Sequence, residues 1–487
     1  MIQDLVVDNP SSGNRPTGSW RELLTPRYAP SLLLVCLGVW LHAADSLLVS
    51  TMMPSIVADI GGTRLISWTS ALYEVGSIVA GAMSGLLSMR HGVRLPMAAH
   101  AAVYALGCAL SAAAPEMWVM LAGRLLQGWG GGGLVALSFV SASRYFPAHL
   151  TARAMAAIST LWGVSAFLGP LIGGMFVEYG SWRGGFALFM LQAVALTAWI
   201  LMRSADMPGK SAAAAREQGR IPVRRLACLA GGVVLIAFAG IEVTALRTPL
   251  LVLAGLGCLW VFVRIDGRAG AGRLLPAGPL NLRQPAGAAL VMIFCFAAAT
   301  ITMNIFGPLL MARIHGTSAL LAGYIIAASS VSWTVMAVLV SGAAERHDGR
   351  LILTGMALIT VSVAGSAAAL PAGPLWLITL LAVLKGGGFG MAWTFILRRA
   401  RALAPEGELE RVAGAFPTVQ RMGYAVGAAW VGIVANAFGL DATMDLATAQ
   451  RVAAAIFIAC LPLAGVGLVA AAHFVRMPAR APSLRAA

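Results

Sequence analysis

Four ionisable side chains of this sequence stand inside apolar stretches, where a charge is costly. Arg124 lies in an apolar run from about 118 to 140, and Asp45, Glu74 and Lys385 lie in three other runs. A charged side chain within the hydrocarbon of a membrane faces the protein interior, finds a partner there, and commonly marks a substrate or proton pathway. These four residues therefore predict a polar site buried between membrane-spanning helices.

Three of the four side chains are predicted to lie at similar depth. With a helical rise of 1.5 Å per residue, Asp45, Glu74 and Arg124 are each roughly 9 to 12 Å from the same membrane surface. We expect Asp45 and Glu74 to compete for Arg124, so that the carboxyl left without the arginine takes up the coupling proton. The alternative is a static ion pair that only holds the helices together.

The fourth ionisable residue, Lys385, is one of only two lysines in the chain and lies near the middle of its apolar run. An ammonium at this depth can hold an anionic group of a substrate. We expect Gln127 and Trp129, on the helix of Arg124, to contribute to substrate binding as well. The alternatives are that Lys385 extends its stem toward the membrane surface and that Trp129 is an interface or packing residue.

The composition is that of a membrane protein that crosses the bilayer many times. Of the 487 residues 59% are hydrophobic and only 11% are charged, against roughly 25% charged in a soluble domain. The net charge of +15 comes from scattered basic residues that form no patch interleaved with aromatics, which argues against nucleic-acid binding. The six cysteines show no metal-ligand spacing, and no soluble segment carries a phosphate-binding loop. We therefore expect no metal, no other cofactor, no use of ATP and no enzymatic activity.

The apolar runs and the basic residues between them predict the topology. Fourteen runs of about 17 to 26 residues are long enough to span a bilayer. If the N-terminus is cytosolic, 26 of the 34 lysines and arginines fall in inside segments, five in outside segments and three within the runs. Because cytosolic loops carry the excess of positive charge, both termini are expected in the cytosol. The chain is thus expected to be a multi-pass protein of the plasma (inner) membrane.

An internal repeat divides the chain into two halves. Residues 85–92 recur at 342–349 with an offset of 257, and residues 117–128 recur at 375–386 with an offset of 258. The predicted fold is an all-α polytopic membrane protein with two pseudo-symmetric six-helix bundles, an inserted helical hairpin and fourteen transmembrane helices. The predicted parts are a cytosolic N-terminal tail at 1–30, an N-terminal bundle at 31–203, linkers with the hairpin at 204–285, a C-terminal bundle at 286–475 and a cytosolic C-terminal tail at 476–487.

Several short motifs stand in the order and spacing of a known family. Their residues, in chain order, are Asp45 with Pro54, Trp68 with Tyr73, the turn residues Gly85, Arg90, Gly92 and Arg94, then Arg124 with Gln127 and Gly128, then Gly163, Gly169, Pro170, Gly173 and Gly174, and Ser181 to Arg183. On these motifs the chain resembles the major facilitator superfamily and, within it, the fourteen-helix drug/proton antiporters.

The resemblance implies roles for two of the motifs. The turn that contains Gly85 to Arg94 and the glycine–proline segment from Gly163 to Gly174 would act in the conformational change, because glycine allows close sliding contact and proline bends a helix. One position departs from the family: Met89 stands where the turn usually carries an acid. Glu345 and Asp348, in the second copy of the turn, can contribute that charge instead.

The expected function is secondary active transport. The resemblance implies proton-coupled export of small amphipathic molecules, such as drugs or secreted metabolites, by a monomer whose central cavity opens alternately to each side. A second possibility is an organic-anion or metabolite carrier that uses Lys385 and Arg124. A possibility of another class is a transport-inactive membrane scaffold or sensor. The expected partners are the small-molecule substrate, protons and the lipid bilayer.

Overall fold

The computed structural model describes residues 19–202, 222–405 and 408–477. In these ranges the chain forms α-helices and short turns, with no β-strand. The prediction of an all-α polytopic membrane protein is therefore confirmed. The start of the predicted N-terminal tail, the linker at 203–221 and nearly all of the predicted C-terminal tail lie outside the described residues.

The helices fall into three groups along the chain. A four-residue helix α1 (Trp20–Leu23) precedes the first group, which we call the first half: α2 (Ala29–Ile60), α3 (Ile66–His91), α4 (Arg94–Ala112), α5 (Met117–Tyr145), α6 (Ala148–Tyr179) and α7 (Trp182–Met202). The hairpin consists of α8 (Val223–Ala239) and α9 (Arg247–Gly267). The second half contains α10 (Pro285–Thr300), α11 (Thr302–His315), α12 (Ala319–Val340), α13 (Asp348–Ala372), α14 (Leu375–Leu403), α15 (Leu409–Ala437), α16 (Leu446–Ile458) and α17 (Leu461–Arg476).

Twelve segments of the described chain are long and apolar enough to cross a membrane. The consecutive helices α10 and α11 form one such segment, and α16 and α17 form another. The two remaining helices, α8 and α15, would raise the number to fourteen, but they do not meet the combined condition of length and hydropathy. Helix α8 has only 17 residues. The count of fourteen spans and the exact domain boundaries therefore stay predictions.

Hydrogen bonds between helix ends show that α4 and α7 run in opposite directions. We call the end of the helix array where α2 begins the tail face, and the opposite end the far face. At the far face, Arg183 donates to the carbonyl of Ala114 at 3.0 Å. At the tail face, Arg94 donates to the carbonyl of Leu201 at 2.7 Å. Which face lies in the cytosol remains the prediction from the loop charges.

Glycines bring α5 close to two neighbouring helices. A Cβ atom at Gly128 would overlap the carbonyl oxygen of Tyr73 on α3, and one at Gly130 would lie 2.5 Å from Cβ of Tyr104 on α4. The second half repeats this contact, because a Cβ atom at Gly386 of α14 would overlap the carbonyl oxygen of Ser329 on α12. Glycines thus allow close helix packing at corresponding places in both halves, on α5 and on α14.

The two halves meet along a seam formed by α3 with α15, by α6 with α12, and by α2 with α11 and α12. The predicted glycine–proline motif of α6 lies at this seam. Gly169 and Gly173 pack against α2, while Gly174 packs against Leu320 and Pro170 against Gly323, both on α12. A Cβ atom at Gly163 would lie 3.5 Å from Oγ1 of Thr334 on α12. A hinge role for these residues remains a prediction.

The far-face end of the seam is held by polar contacts. Asn436 of α15 donates to the carbonyl of Arg64 at 2.9 Å, and the guanidinium of Arg64 lies 3.7 Å from Asp441. Hydrogen bonds from the backbone and hydroxyl of Thr443, with the charge of Arg64, lower the pKa of Asp441, so its carboxylate stays ionised near neutral pH. These contacts join the two halves at the far face.

The inserted hairpin lies beside the seam. Its first helix, α8, contacts both α15 and α3. Asn436 of α15 also donates to the carbonyl of Gly240 at the end of α8, at 2.7 Å. The hairpin therefore touches both halves.

The glycine contacts give a first prediction. In Gly128→Val the added side chain meets backbone rather than a flexible side chain, so we expect a loss of stability at or above the about 1–3 kcal/mol of an overpacked core. The fraction of monodisperse protein after extraction and the melting temperature measure it. Gly465→Val on α17 is the matched control, since a Cβ atom there meets open space. Equal losses in both variants would contradict the close-packing argument.

Candidate functional site

The centre of the first half holds a closed ion pair. Nη1 of Arg124 on α5 lies 2.5 Å from Oδ2 of Asp45 on α2, and the two side chains are 3% and 0% exposed. Such complete enclosure means that neither charge is solvated by water, so each depends on the other. The structure thus brings together two of the three residues that we expected to meet.

Arg124 makes three further contacts in addition to the carboxylate. Its Nη1 donates to Oε1 of Gln127 at 2.8 Å and its Nε to the carbonyl of Thr69 at 3.4 Å. Its guanidinium carbon also lies 4.3 Å from the ring centre of Tyr73, a distance suited to a cation–π contact. Arg124 therefore connects α5 to both α2 and α3.

Polar neighbours from α4 and α3 complete this core. Tyr104 donates from its hydroxyl to Oδ1 of Asp45 at 3.2 Å and to the carbonyl of Leu41 at 2.9 Å. The hydroxyl of Tyr73 lies 2.7 Å from Nδ1 of His42. Sequence reasoning did not predict the role of either tyrosine, since their types alone do not show that they face the acid.

Glu74 has a different partner from the one that we expected. Its Oε2 lies 3.4 Å from Nη1 of Arg421 on α15, and Arg421 also donates to the hydroxyl of Ser77. The two charged side chains are 15% and 18% exposed, so the pair is largely enclosed. Because α3 belongs to the first half and α15 to the second, this ion pair crosses the seam. Arg421 is one of the three basic residues that fall within the apolar runs of the sequence, and that position was the signal for this pair.

Lys385 lies inside the second half. It is 9% exposed, and its Nζ lies 3.5 Å from Oδ1 of Asn304 on α11. The chamber beside it has a volume of about 10 Å³ and is lined by Ser362 and Ser366, among others. That is room for about one water molecule. The described residues provide no carboxylate partner for this ammonium.

The chamber of Lys385 is the counterpart of the ion-pair core in the first half. With the sequence offset of 258, five core positions of the first half correspond to five positions around Lys385: Asp45 to Met303, Tyr104 to Ser362, Cys108 to Ser366, Arg124 to Ala382 and Gln127 to Lys385. Of these five second-half residues, only Lys385 is charged. The duplicated core therefore holds an ion pair in one half and a single lysine in the other.

The remaining predicted site residues lie on α5 and in the tail-face turn. Gln127 is fully buried and donates to Sγ of Cys108 at 3.1 Å, while Trp129 is half-buried on α5. In the tail-face turn Gly92 has a φ of +72°, a conformation that favours glycine. Gly85 is half-buried and Arg90 is exposed, as is Met89. Their roles in binding or gating stay predictions.

In the second copy of this turn, Asp348 carries an ion pair. Its carboxylate accepts from Nη2 and Nε of Arg398 on α14, and Arg398 also donates to the carbonyl of Ala343 at 3.1 Å. Of the two acids that we expected to replace the one lost at Met89, Asp348 is thus held in place within the second half. Glu345 is exposed at the same turn.

Comparison with known proteins gives consistent matches. The family profile named Major Facilitator Superfamily matches residues 35–428. A probable multidrug-efflux transporter of Mycobacterium tuberculosis is 32% identical over 487 aligned positions, which cover 96% of this chain and 98% of the relative. The uncharacterized transporter YebQ of Escherichia coli is 22% identical, covering 86% of this chain and 92% of YebQ.

Solved structures share the fold at low sequence identity. A POT family transporter in complex with 5-aminolevulinic acid matches with a TM-score of 0.68 and 13% identity, covering 94% of this chain and 98% of that one. A D-xylose–proton symporter matches with a TM-score of 0.63 and 16% identity, covering 93% and 98%. At these identities the likeness shows the fold alone.

The enclosed pair gives a second prediction. Asp45→Asn leaves Arg124 buried without a counter-ion, so we expect the free energy of unfolding to fall by about 3–5 kcal/mol. Adding Arg124→Gln removes the stranded charge, and the double variant should lose less than the sum of the single losses. Denaturation of the purified proteins in mixed micelles measures all three values.

The control for this cycle is Asp59→Asn. Asp59 pairs with Arg183 at the far face, where the two side chains are 47% and 38% exposed, so its loss should lower the free energy of unfolding much less than the loss of Asp45. If Asp45→Asn lowered the free energy of unfolding no more than Asp59→Asn does, enclosure would not explain the contribution of the Asp45–Arg124 pair to stability.

Proposed function

Because the chain belongs to the major facilitator superfamily, we propose that it exports small amphipathic molecules in exchange for protons. The chain is a multi-pass membrane transporter and not an enzyme, since its family and its relatives transport molecules across membranes. Export is supported by the multidrug-efflux description of the relative from M. tuberculosis, which aligns over almost its whole length.

The observation that carries the proposal is the pair of enclosed carboxylates within the spans, each with its own guanidinium. Asp45 is held inside the first half by Arg124, and Glu74 is held across the seam by Arg421. A carboxyl that loses such a partner in a site without water takes up a proton. Breaking and re-forming these two pairs can therefore take up protons on one side and release them on the other.

The seam pair would couple proton uptake to the movement of the two halves. When Glu74 is ionised, its attraction to Arg421 holds α3 against α15. When Glu74 is protonated, that attraction is lost and the halves can separate along this part of the seam. Rocking of two rigid halves around a central site is the form of alternating access expected for a carrier built from such repeats.

The competition for Arg124 remains part of the proposal. In this structure Glu74 contacts Arg421, although the charge of Arg124 also acts on Glu74. If α15 moved away from α3, it would carry Arg421 away from Glu74. Of these two arginines, Arg124 would then be the one still near Glu74. Arg124 would then be shared between Asp45 and Glu74, which is the exchange that the sequence led us to expect.

The alternative of an organic-anion carrier has weaker support. Arg124 already contacts Asp45, Gln127 and the carbonyl of Thr69, and the chamber of Lys385 holds about one water molecule. A substrate anion would have to enlarge that chamber before it could reach Lys385. The alternative of a transport-inactive scaffold or sensor predicts that substitution of Asp45 changes no transport.

We further propose that the transporter works as a monomer in the plasma (inner) membrane, with both termini in the cytosol. The excess of arginine in the segments at the tail face supports this orientation. The tail face would then be the cytosolic side, and the far face, where polar contacts tie the halves together, would be the outer side. The structure would accordingly represent a state closed to the outside.

Growth inhibition tests the export proposal. In an efflux-deficient bacterial host, expression of the wild type should raise the inhibitory concentration of amphipathic cationic or neutral compounds, and Asp45→Asn should abolish this protection at equal membrane abundance. Asp59→Asn, which removes an acid from the exposed end of the same helix, should keep it. Protection that survives in Asp45→Asn would exclude Asp45 as the required proton site.

The seam pair gives a separate prediction about proton coupling. Glu74→Gln mimics the protonated acid permanently, so addition of a transported compound to energised everted vesicles should no longer cause the proton flux seen with the wild type. The flux is read from the fluorescence of a dye sensitive to the pH gradient. Glu242→Gln in the hairpin is the control, since Glu242 is 73% exposed. Normal flux in Glu74→Gln would leave the pair with Arg421 a purely structural role.

A further inference from the structure

A cavity of about 500 Å³ lies at the seam near the tail face, away from the ion-pair core. Its walls come from both halves and from the hairpin, because α3, α15, α8, α9 and the segment that follows α9 all contribute to it. The volume lies within the range of small-molecule sites, about 300–1,000 Å³. We call this space the hairpin cavity.

Ion pairs and hydrogen bonds hold the wall of the hairpin cavity in place. Arg225 at the start of α8 is joined to Asp266 at the end of α9, with 2.6 Å between Nη1 and Oδ1. The carboxylate of Asp266, which is almost completely buried, also accepts from the backbone N–H groups of Leu274 and Leu275, each at 2.9 Å. These bonds turn the segment after α9 back over the seam. Arg273 then reaches Glu408 at the start of α15 at 2.8 Å, which closes this wall.

The lining of the cavity has an apolar part and a cationic part. Ile78, Leu226, Leu229 and Phe262 are at most 4% exposed and supply the apolar walls. The lining also contains two arginines and a threonine, Arg273, Arg411 and Thr418. Such a lining matches a molecule with an apolar body and a polar head.

The cationic part favours an anionic head. Arg273 uses its Nη2 on Glu408 and its Nε on the carbonyl of Gly270. A guanidinium has five N–H donors in a planar fork, so donors of the same fork remain for an anionic group. Both cavity arginines contact the single carboxylate of Glu408, at 2.8 and 3.4 Å.

We propose that the hairpin cavity binds an elongated amphiphile with an anionic head group. The apolar body lies between α3, α8 and α9, and the head lies beside Arg273 and Arg411. Two sources share this chemistry: an anionic lipid from the leaflet at the tail face, and a soluble anionic amphiphile. This site is distinct from the proton-coupled site and does not depend on it, because its lining shares no residue with either ion pair.

Two glycines allow the proposal to be tested without disturbing the packing. A Cβ atom at Gly414 of α15 meets open space, and one at Gly81 of α3 has its only close neighbour at 3.9 Å. Both residues line the cavity, from opposite sides of the seam. Leucine at either position therefore projects into the cavity and takes up part of the space that a ligand would need. The matched control is Gly257→Leu on α9, where a Cβ atom also meets open space but which is not part of the lining.

The experiment measures binding of dansyl-undecanoic acid to the full-length protein in phosphatidylcholine nanodiscs. The dye is an elongated amphiphile with a carboxylate, and its emission reports transfer into an apolar site. We expect saturable binding to the wild type and to Gly257→Leu, and loss of saturable binding in Gly414→Leu and Gly81→Leu. Retained binding in both cavity-filling variants, or no saturable binding to the wild type, would overturn the proposal.

A second comparison tests the anionic preference. Arg273→Gln should weaken binding of the carboxylate dye by about tenfold or more, the loss expected for a hydrogen bond to a charged group. The neutral amide of the same dye should bind the wild type and this variant alike, and Arg268→Gln, an exposed arginine of the same segment, should bind the carboxylate dye like the wild type. An equal loss for the carboxylate and amide dyes in Arg273→Gln would contradict the assigned position of the head group.

Nanodiscs that contain phosphatidylglycerol distinguish the two sources. Displacement of the dye by this lipid supports a resident anionic lipid as the occupant. Unchanged dye binding supports a soluble anionic amphiphile. Neither outcome involves transport, so a failure of proton exchange and a failure of this site would be seen separately.

Discussion

The enclosed ion pair between Asp45 and Arg124 is the constraint on which the first half depends. A charge that cannot reach water must be placed against its partner with little freedom, and this fixes α2 against α5. The other contacts of Arg124, to the carbonyl of Thr69 and the ring of Tyr73, extend the constraint to α3. Three helices are therefore positioned by one guanidinium, and the glycines of α5 let their backbones come close enough for these contacts to form.

The second charged contact, between Glu74 and Arg421, differs because it joins the two halves, whose relative movement we propose. A pair inside one half holds the helices of that half together while it is formed, whereas a pair across the seam stabilises only the states in which the seam is closed. The same chemistry thus serves two purposes in one protein. Helix α3 takes part in both, since Glu74 faces α15 while the neighbouring Tyr73 faces Arg124.

The sequence predicts the fold well, because hydrocarbon imposes rules that can be read locally. Run length, loop charge, the repeat and the family motifs predicted an all-α membrane transporter. Within the site, the sequence identified Asp45 and Arg124 as partners, since both are buried charges at one depth. It did not predict Arg421 as the partner of Glu74, because depth along a helix says nothing about which faces meet. The hydroxyl of Tyr104 and the hairpin cavity depend on tertiary packing in the same way.

The duplicated core has an electrical consequence. The ion pair of the first half has no net charge, but Lys385, as an ammonium, places a positive charge in the second half without a carboxylate partner among the described residues. Any rocking of the second half therefore displaces net charge within the membrane potential. Moving one elementary charge across the whole membrane at 100 mV changes the free energy by about 2.3 kcal/mol, and a partial displacement changes it proportionally less. The transport cycle should thus be sensitive to voltage through Lys385, and a transient current that persists in Lys385→Met would show that the moving charge lies elsewhere.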